Sequence, residues 1–408
     1  MAKLSYLFLI LFSLWISFFQ ILNLNMNVGE FSPFPLVVSG IEIFCILLLN
    51  SFLFVVFYFI AAFSNKKKFV ISKRFTIKLN QHRLNIVFLA LLSLQLLFLI
   101  VTGVGRLLSD ATHPFSPLFA IFSPDAFFPI YYLINRVKTN QGKNKLFFIS
   151  VFLFSLLKIL QGWSAFILVI AFLELFYRTS MVKLKFKTVF IATLIPLLVL
   201  LVGGGVYSYV YKLKNTIRGN SVTELSYYEG VEQLASRLSM LPVSIAAYER
   251  TNSVVTIFQK DAIEYKEIMG LGRPILPRFI MQDKEFRPLG NNVMEAYYPD
   301  ITDKTSSNMG LFMYLYILTI ADVSQALMFI IVVSLLIFVV KLFLDSIEQY
   351  PRQLSFVLFM LLMNVVDIAS LEVVFGYGFI KALTVFMLCF LFGAFKIVLK
   401  NITCSGDK

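Results

Sequence analysis

Apolar stretches long enough to cross a bilayer recur from one end of this chain to the other, and no other feature restricts its fold so tightly. About 20 consecutive apolar residues cross the hydrocarbon core of a membrane as a helix. Of the 408 residues, 59% are hydrophobic and only 14% charged, with a mean hydropathy of +0.82. Soluble domains carry about 25% charged residues. That balance excludes a water-soluble enzyme, a disordered chain and a disulfide scaffold. The expected class is all-α: a polytopic helical membrane protein of about ten to eleven spans with one large helical extracytoplasmic loop.

Ten spans are expected, at residues 4–22, 35–63, 84–104, 115–134, 146–161, 163–178, 188–210, 324–343, 353–370 and 376–397. Pro114, Pro117, Pro124 and Pro129 punctuate the fourth, so it should be broken or re-entrant. Residues 309–320 read as a short interfacial segment. The stretch Leu4–Leu22 lacks a small-residue cleavage site and is expected to be the first span rather than a removed signal.

The net charge of +13 does not imply a nucleic-acid partner, because of where the charge lies. Short loops and tails, with the span ends beside them, hold 21 of the 36 Lys and Arg residues. These include Lys66–Lys68, Lys73, Arg74, Lys78 and Arg83, then Arg136, Lys138, Lys143 and Lys145, then Arg178, Lys183, Lys185 and Lys187. Such asymmetry orients spans with the basic loops inside. It places both termini in the cytoplasm and residues 211–309 outside, between an N-terminal seven-span bundle (1–210) and the C-terminal spans (310–408). The three cysteines have no metal or redox spacing.

The segment Tyr211–Asn308 differs in kind, with 12 basic and 12 acidic residues. It is too long for an idle connector. Ser221 and Glu224 have capping-box spacing, and Val231, Leu234, Ala235 and Leu238 follow at helical intervals. Pro242 should disturb that helix near its end. Further helices are expected at about 243–258 and 261–269, followed by a stretch marked by Gly270, Gly272, Pro274, Pro277, Pro288 and Gly290.

Ionisable residues inside spans default to functional roles. Glu42, Asp125, Lys158, Asp367, Glu372 and Lys381 map to the middle or outer half of their spans, with Glu174 on the inner side. As a set they describe a polar crevice open to the outside. Arg106 and Asp110 have i, i+4 spacing beyond the third span, and His113 is the one outward-facing histidine. The external segment adds Lys212, Lys214, Arg218, Arg237, Arg250, Arg273, Arg278, Lys284 and Arg287. Several fixed guanidinium groups are what a phosphate or pyrophosphate requires. No P-loop, H-E-x-x-H, nucleophile elbow or D-x-D pair occurs in this segment, so neither a metal nor a cofactor is implied.

The run MGLGRPILPRFIMQDKEFRP, from Met269 to Pro288, pairs a Gly-rich turn with Leu-Pro-Arg and a later lysine. Ser306 and Ser307 then precede Gly310 and a Tyr-containing apolar stretch. With the span pattern and the large late loop, this resembles bacterial repeat-unit polymerases of the O-antigen polymerase (Wzy) family. Pro277, Arg278 and Lys284 match by position. The chain departs from the family in Glu285, where members often have proline, and in Gly162, Trp163 and Ser164, where many carry a Ser-Arg pair.

The resemblance implies a metal-independent glycosyltransferase of the bacterial inner membrane. It would move a growing glycan from undecaprenyl pyrophosphate to a sugar hydroxyl of a new lipid-linked unit. Arg218, Arg237, Arg273, Arg278, Lys284 and Arg287 would hold the lipid pyrophosphate, and Glu249, Asp283 and Glu295 are the candidate general bases. A chain-length regulator and a flippase are the expected partners. The alternatives are an O-antigen ligase, which typically has a histidine in the large loop where 211–308 has none, and a polysaccharide flippase or other transporter.

Overall fold

In the computed structural model the described residues are 2–64, 75–106, 111–138, 144–163, 166–180, 194, 197–198, 200–212, 225–260, 267, 288–299, 307–347, 361–362, 364–368 and 372–399. Helices dominate. They are α1 (Ala2–Leu24), α2 (Gly40–Ser64), α3 (Gln81–Thr102), α4 (Ser116–Ile121), α5 (Phe128–Lys138), α6 (Lys145–Gln161), α7 (Phe166–Ser180) and α8 (200–212). There follow α9 (Tyr227–Leu238), α10 (Leu241–Glu249), α11 (Thr251–Lys260), α12 (Leu289–Tyr297), α13 (Leu311–Ala321) and α14 (Val323–Ser346). A π-helix, Glu372–Ile380, then runs into α15 (Lys381–Leu391). Among the described residues, four segments are long and apolar enough to cross a membrane: Leu7–Leu24, Gly40–Ile60, Gln81–Thr102 and Val323–Ser346.

Several expected boundaries move, each for a local reason. The second span was expected from residue 35 but its helix begins at Gly40, because Pro33 and Pro35 lie in an irregular stretch with one 3-10 turn, Gly29–Phe31. The fourth is broken as its prolines require. Pro117 and Pro129 sit in the first turns of α4 and α5, where no intrahelical N–H is needed. Helices α6 and α7 have 17 and 15 residues. The last expected span, 376–397, ends as helix at Leu391. Its remainder forms a strand, Phe395–Leu399, antiparallel to Phe75–Leu79 with Ile77 opposite Ile397. This two-stranded sheet departs from the all-α expectation. The residues expected to form an interfacial segment at 309–320 make the helix α13, with Met313, Tyr314, Ile317 and Leu318 buried.

The chain forms two compact units. The first comprises residues 1–59, 178–334 and 360–378. In it α1 packs on α9 and α10, and α11 packs on α12 and α13. Buried hydroxyls complete backbone carbonyls: Ser13 donates to Ala235 O (2.6 Å) and Ser244 to Met309 O (2.6 Å), while Asn50 donates to the Ser244 hydroxyl (3.1 Å). The capping box of α9 uses Ser226 and Glu229; Ser221 and Glu224 lie outside the described residues. The Ser226 backbone N–H, and then its hydroxyl, hold the Glu229 carboxyl below its ordinary value. Pro242 does not disturb the end of α9, which stops at Leu238. Instead it opens α10. The helix expected over 243–258 is two helices interrupted at Arg250, whose side chain is drawn elsewhere, as described below. Of the helix expected at 261–269, only Glu267 is described.

The second unit comprises 60–177, 335–359 and 379–408. Its core is aromatic, with Phe88 stacked on Tyr131 (4.0 Å) and Phe128 on Phe154 (3.7 Å). Asn80 caps α3 through the Arg83 N–H, and its own N–H bonds Ala394 O, tying that helix to the sheet.

Helices α8 and α9 touch through glycine. A Cβ on Gly230 would lie 2.0 Å from Ser208 Oγ and 2.5 Å from Gly204 O. Small residues permit such backbone approach. Gly230→Val should therefore destabilise the purified protein by about 1–3 kcal/mol or prevent its accumulation. Gly205→Ala, whose added carbon meets Tyr227 at 3.6 Å, should melt as wild type. Thermal melts of both variants in detergent check this, and equal melting would contradict it.

Candidate functional site

The first unit gathers carboxylates, aromatic rings and an arginine around the chain that follows α1. Glu249 ends α10 and accepts from the Val37 N–H (2.8 Å) and from the Tyr297 hydroxyl (2.8 Å). The Arg250 guanidinium lies 4.1 Å from the centre of the Tyr297 ring and 5.7 Å from that of Phe34, and donates to Ala296 O. Phe31 and Phe34 meet Tyr297 edge-on at 5.0 and 4.8 Å. Tyr298 donates to Glu30 O (2.6 Å). The irregular residues 30–37 are thus clamped to α10 and α12 by contacts that need Arg250 out of the helical path. Burial first, and then the Glu249 hydrogen bond, raise the Tyr297 phenol above its ordinary value.

A second carboxylate lies beside this group. Glu42, in the first turn of α2, accepts from the Ser39 N–H (2.7 Å), the Ser39 hydroxyl (2.8 Å) and the Tyr248 hydroxyl (3.2 Å). A third is deeply buried. Glu267 is 2% exposed; it accepts from the Leu289 N–H at the start of α12 (2.9 Å) and from the Tyr314 hydroxyl. Glu267 was not among the expected site residues. Its burial follows from its contacts with the start of α12 and with Tyr314 of α13.

Of the expected general bases, Glu249 sits in the clamp with each oxygen already accepting one hydrogen bond. Glu295 is half-buried on α12, and Asp283 lies outside the described residues. Of the expected pyrophosphate ligands, Arg218, Arg273, Arg278, Lys284 and Arg287 also lie outside them. Arg237 is on α9, with its side chain outside the description.

The expected crevice residues occur in both units. In the first unit Asp367 accepts from the Asn308 amide (3.1 Å). Glu372 lies on the π-helix, its side chain undescribed. In the second unit Lys158 pairs with Asp125 (2.5 Å), and Lys381 lies within electrostatic reach of both. Glu174 accepts from Arg136 and from the Tyr132 hydroxyl (2.8 Å). His113 Nδ1 accepts from the Phe115 N–H (3.3 Å), a local turn contact. Asp110 is outside the described residues. No group of three or more His, Cys, Asp or Glu that would hold a metal occurs among the described residues.

No family model, curated protein or solved structure matches the chain.

Loss of one hydrogen bond and loss of a buried acceptor should differ. Tyr297→Phe removes one donor to Glu249 and should cost about 1 kcal/mol. Glu267→Ala leaves the Leu289 N–H and Tyr314 hydroxyl without this buried acceptor, for about 1–3 kcal/mol. Thermal unfolding of the two variants compares them, and a larger loss for Tyr297→Phe would contradict the assignment. The raised phenol favours the folded state fully below the ordinary phenol range. That contribution is lost as pH rises through the folded value.

Proposed function

We propose that this chain is a repeat-unit polymerase of surface polysaccharide, acting at the outer face of the bacterial inner membrane. In this reading ten or more spans cross the bilayer, both termini are cytoplasmic and residues 211–309 face outward. Arg218, Arg237, Arg273, Arg278, Lys284 and Arg287 bind the pyrophosphate of undecaprenyl-linked oligosaccharides. A chain-length regulator and a flippase work alongside.

The observation that carries the reading is the run Met269–Pro288, which sets three arginines and a lysine among prolines and glycines beside apolar spans. Pyrophosphate leaving from a glycan gains negative charge, and preorganised guanidinium groups stabilise that charge without a metal. An acceptor sugar hydroxyl attacks the anomeric carbon as the bond to the pyrophosphate oxygen breaks. A carboxylate among Glu249, Asp283 and Glu295 takes its proton. The isoprenoid stays in hydrocarbon while two head groups meet at the surface, so proximity supplies part of the rate. The lack of histidine in 211–308 favours polymerase over ligase.

Purified protein in liposomes, given native lipid-linked units, should produce a ladder of polymers, and Arg278→Ala at equal abundance should lower the rate about 100-fold. In cells that variant should leave surface glycan of single units. Failure of the wild-type protein to extend authentic units would overturn the proposal. Polymer accumulating on its carrier in a deletion strain would indicate a ligase instead, and units retained in the cytoplasm a flippase.

A further inference from the structure

The second unit contains a polar fan beside an exposed indole. Lys158, near the end of α6, is only 6% exposed. Its ammonium donates to Asp125 Oδ2 (2.5 Å) and to Gln161 Oε1 (2.8 Å). It also lies 5.7 and 5.6 Å from the ring centres of Phe154 and Trp163. Gly162, at φ +77°, turns the chain out of α6, and the Trp163 N–H bonds back to Lys158 O (2.9 Å). The turn fixes Trp163 beside the ion pair with the residue 52% exposed.

The open positions are chemically specific. An ammonium has three donors, a carboxylate two acceptor oxygens and an amide both kinds of group. Among the described residues, Asp125 Oδ1 has no hydrogen-bond partner, and neither has the Gln161 amide nitrogen. The Asp125 side chain is 45% exposed. The side chains that carry this acceptor and this donor are both held by the ammonium that lies over the Trp163 ring.

Three ligand chemistries can be weighed against that set. A phosphate would be drawn by the Lys158 and Lys381 ammonium groups, yet it has no apolar face to cover the ring and sets its charge against the exposed Asp125 carboxylate. A lipid chain would use the ring and leave the polar groups unpaired, which is costly. A sugar ring carries hydroxyls that both donate and accept, and an apolar C–H face that covers an indole. A structural ion pair would account for Lys158. Buried pairs are weak sources of stability, however, and Asp125 remains 45% exposed.

We infer that Asp125, Gln161 and Trp163, with Lys158 fixing the carboxylate, form a saccharide-binding subsite in which a sugar ring stacks on Trp163 and its hydroxyls bond Asp125 and Gln161. The inference deepens the proposed polymerase reading by placing a sugar of the lipid-linked unit, and it rests on that reading for the ligand class.

The chain has two tryptophans, so Trp15→Phe leaves Trp163 as the sole indole fluorophore. That variant, in nanodiscs, is titrated with the oligosaccharide released from the cell's own lipid carrier. Inorganic phosphate and phosphatidylglycerol are titrated in parallel. The oligosaccharide should give a saturable shift in Trp163 emission, and phosphate and phosphatidylglycerol none. Asp125→Asn should weaken the response at least 10-fold. Gln161→Ala should weaken it severalfold. Silence of Trp163 toward the oligosaccharide, or an equal response to phosphate or phosphatidylglycerol, would overturn the inference. Polymer extension with a silent Trp163 would sink the subsite alone. Saccharide binding without extension would sink the polymerase reading and leave the subsite standing.

Discussion

A backbone placed in hydrocarbon has no water to satisfy its N–H and C=O groups, so it must satisfy them itself. The apolar helices of this protein meet that demand. Its apolar stretches become helices, and among the described residues four are long and apolar enough to cross a bilayer. Several buried polar side chains are met by partners. Ser13 and Ser244 serve backbone carbonyls. Lys158 meets Asp125, and Arg136 meets Glu174. Where the chain leaves helical form, side chains replace the lost ladder. Residues 30–37 are held by Glu249 on the Val37 N–H and by Tyr298 on Glu30 O.

The same demand gives the carboxylates two kinds of environment. Glu267 and Glu249 hold structure, through the start of α12 and through the residue 30–37 clamp. Asp125 is anchored through one oxygen and open at the other. An anchored and outward-facing group can meet a ligand without first losing its own order, which lowers the entropic cost of binding. On the proposed topology this arrangement suits a protein whose substrates have a hydrocarbon tail, an anionic head and a glycan. Each part then has a matching environment: bilayer, guanidinium cluster and aromatic-polar surface.

Much of the helical layout was legible because hydropathy is a long-window signal. The runs 4–22, 84–104 and 324–343 correspond closely to α1, α3 and α14. The prolines of 114–129 foretold the break between α4 and α5. The apolar positions Val231, Leu234, Ala235 and Leu238 located α9. Short-range competition was illegible. Arg250 divides α10 from α11 because its guanidinium is engaged by Tyr297, a residue 47 positions away. Phe395–Leu399 reads as the end of a span, yet it pairs with a strand more than 300 residues earlier. Glu267 offered no local cue, since its burial depends on Tyr314 and α12. Asp125 and Lys158 are legible as costly ions, but their pairing beside Trp163 depends on the fold.

The central claim is that residues 211–308 lie on the far side of the membrane from the basic loops. Single cysteines placed at Gln233 on α9 and at Asn252 on α11, in a protein whose native Cys45, Cys389 and Cys404 are replaced, test it directly in intact spheroplasts. A membrane-impermeant maleimide should label both before any permeabilisation, while a cysteine at Asn144 should label only afterwards. Labelling of Gln233→Cys and Asn252→Cys only after permeabilisation would place the arginine-bearing segment in the cytosol and contradict the account.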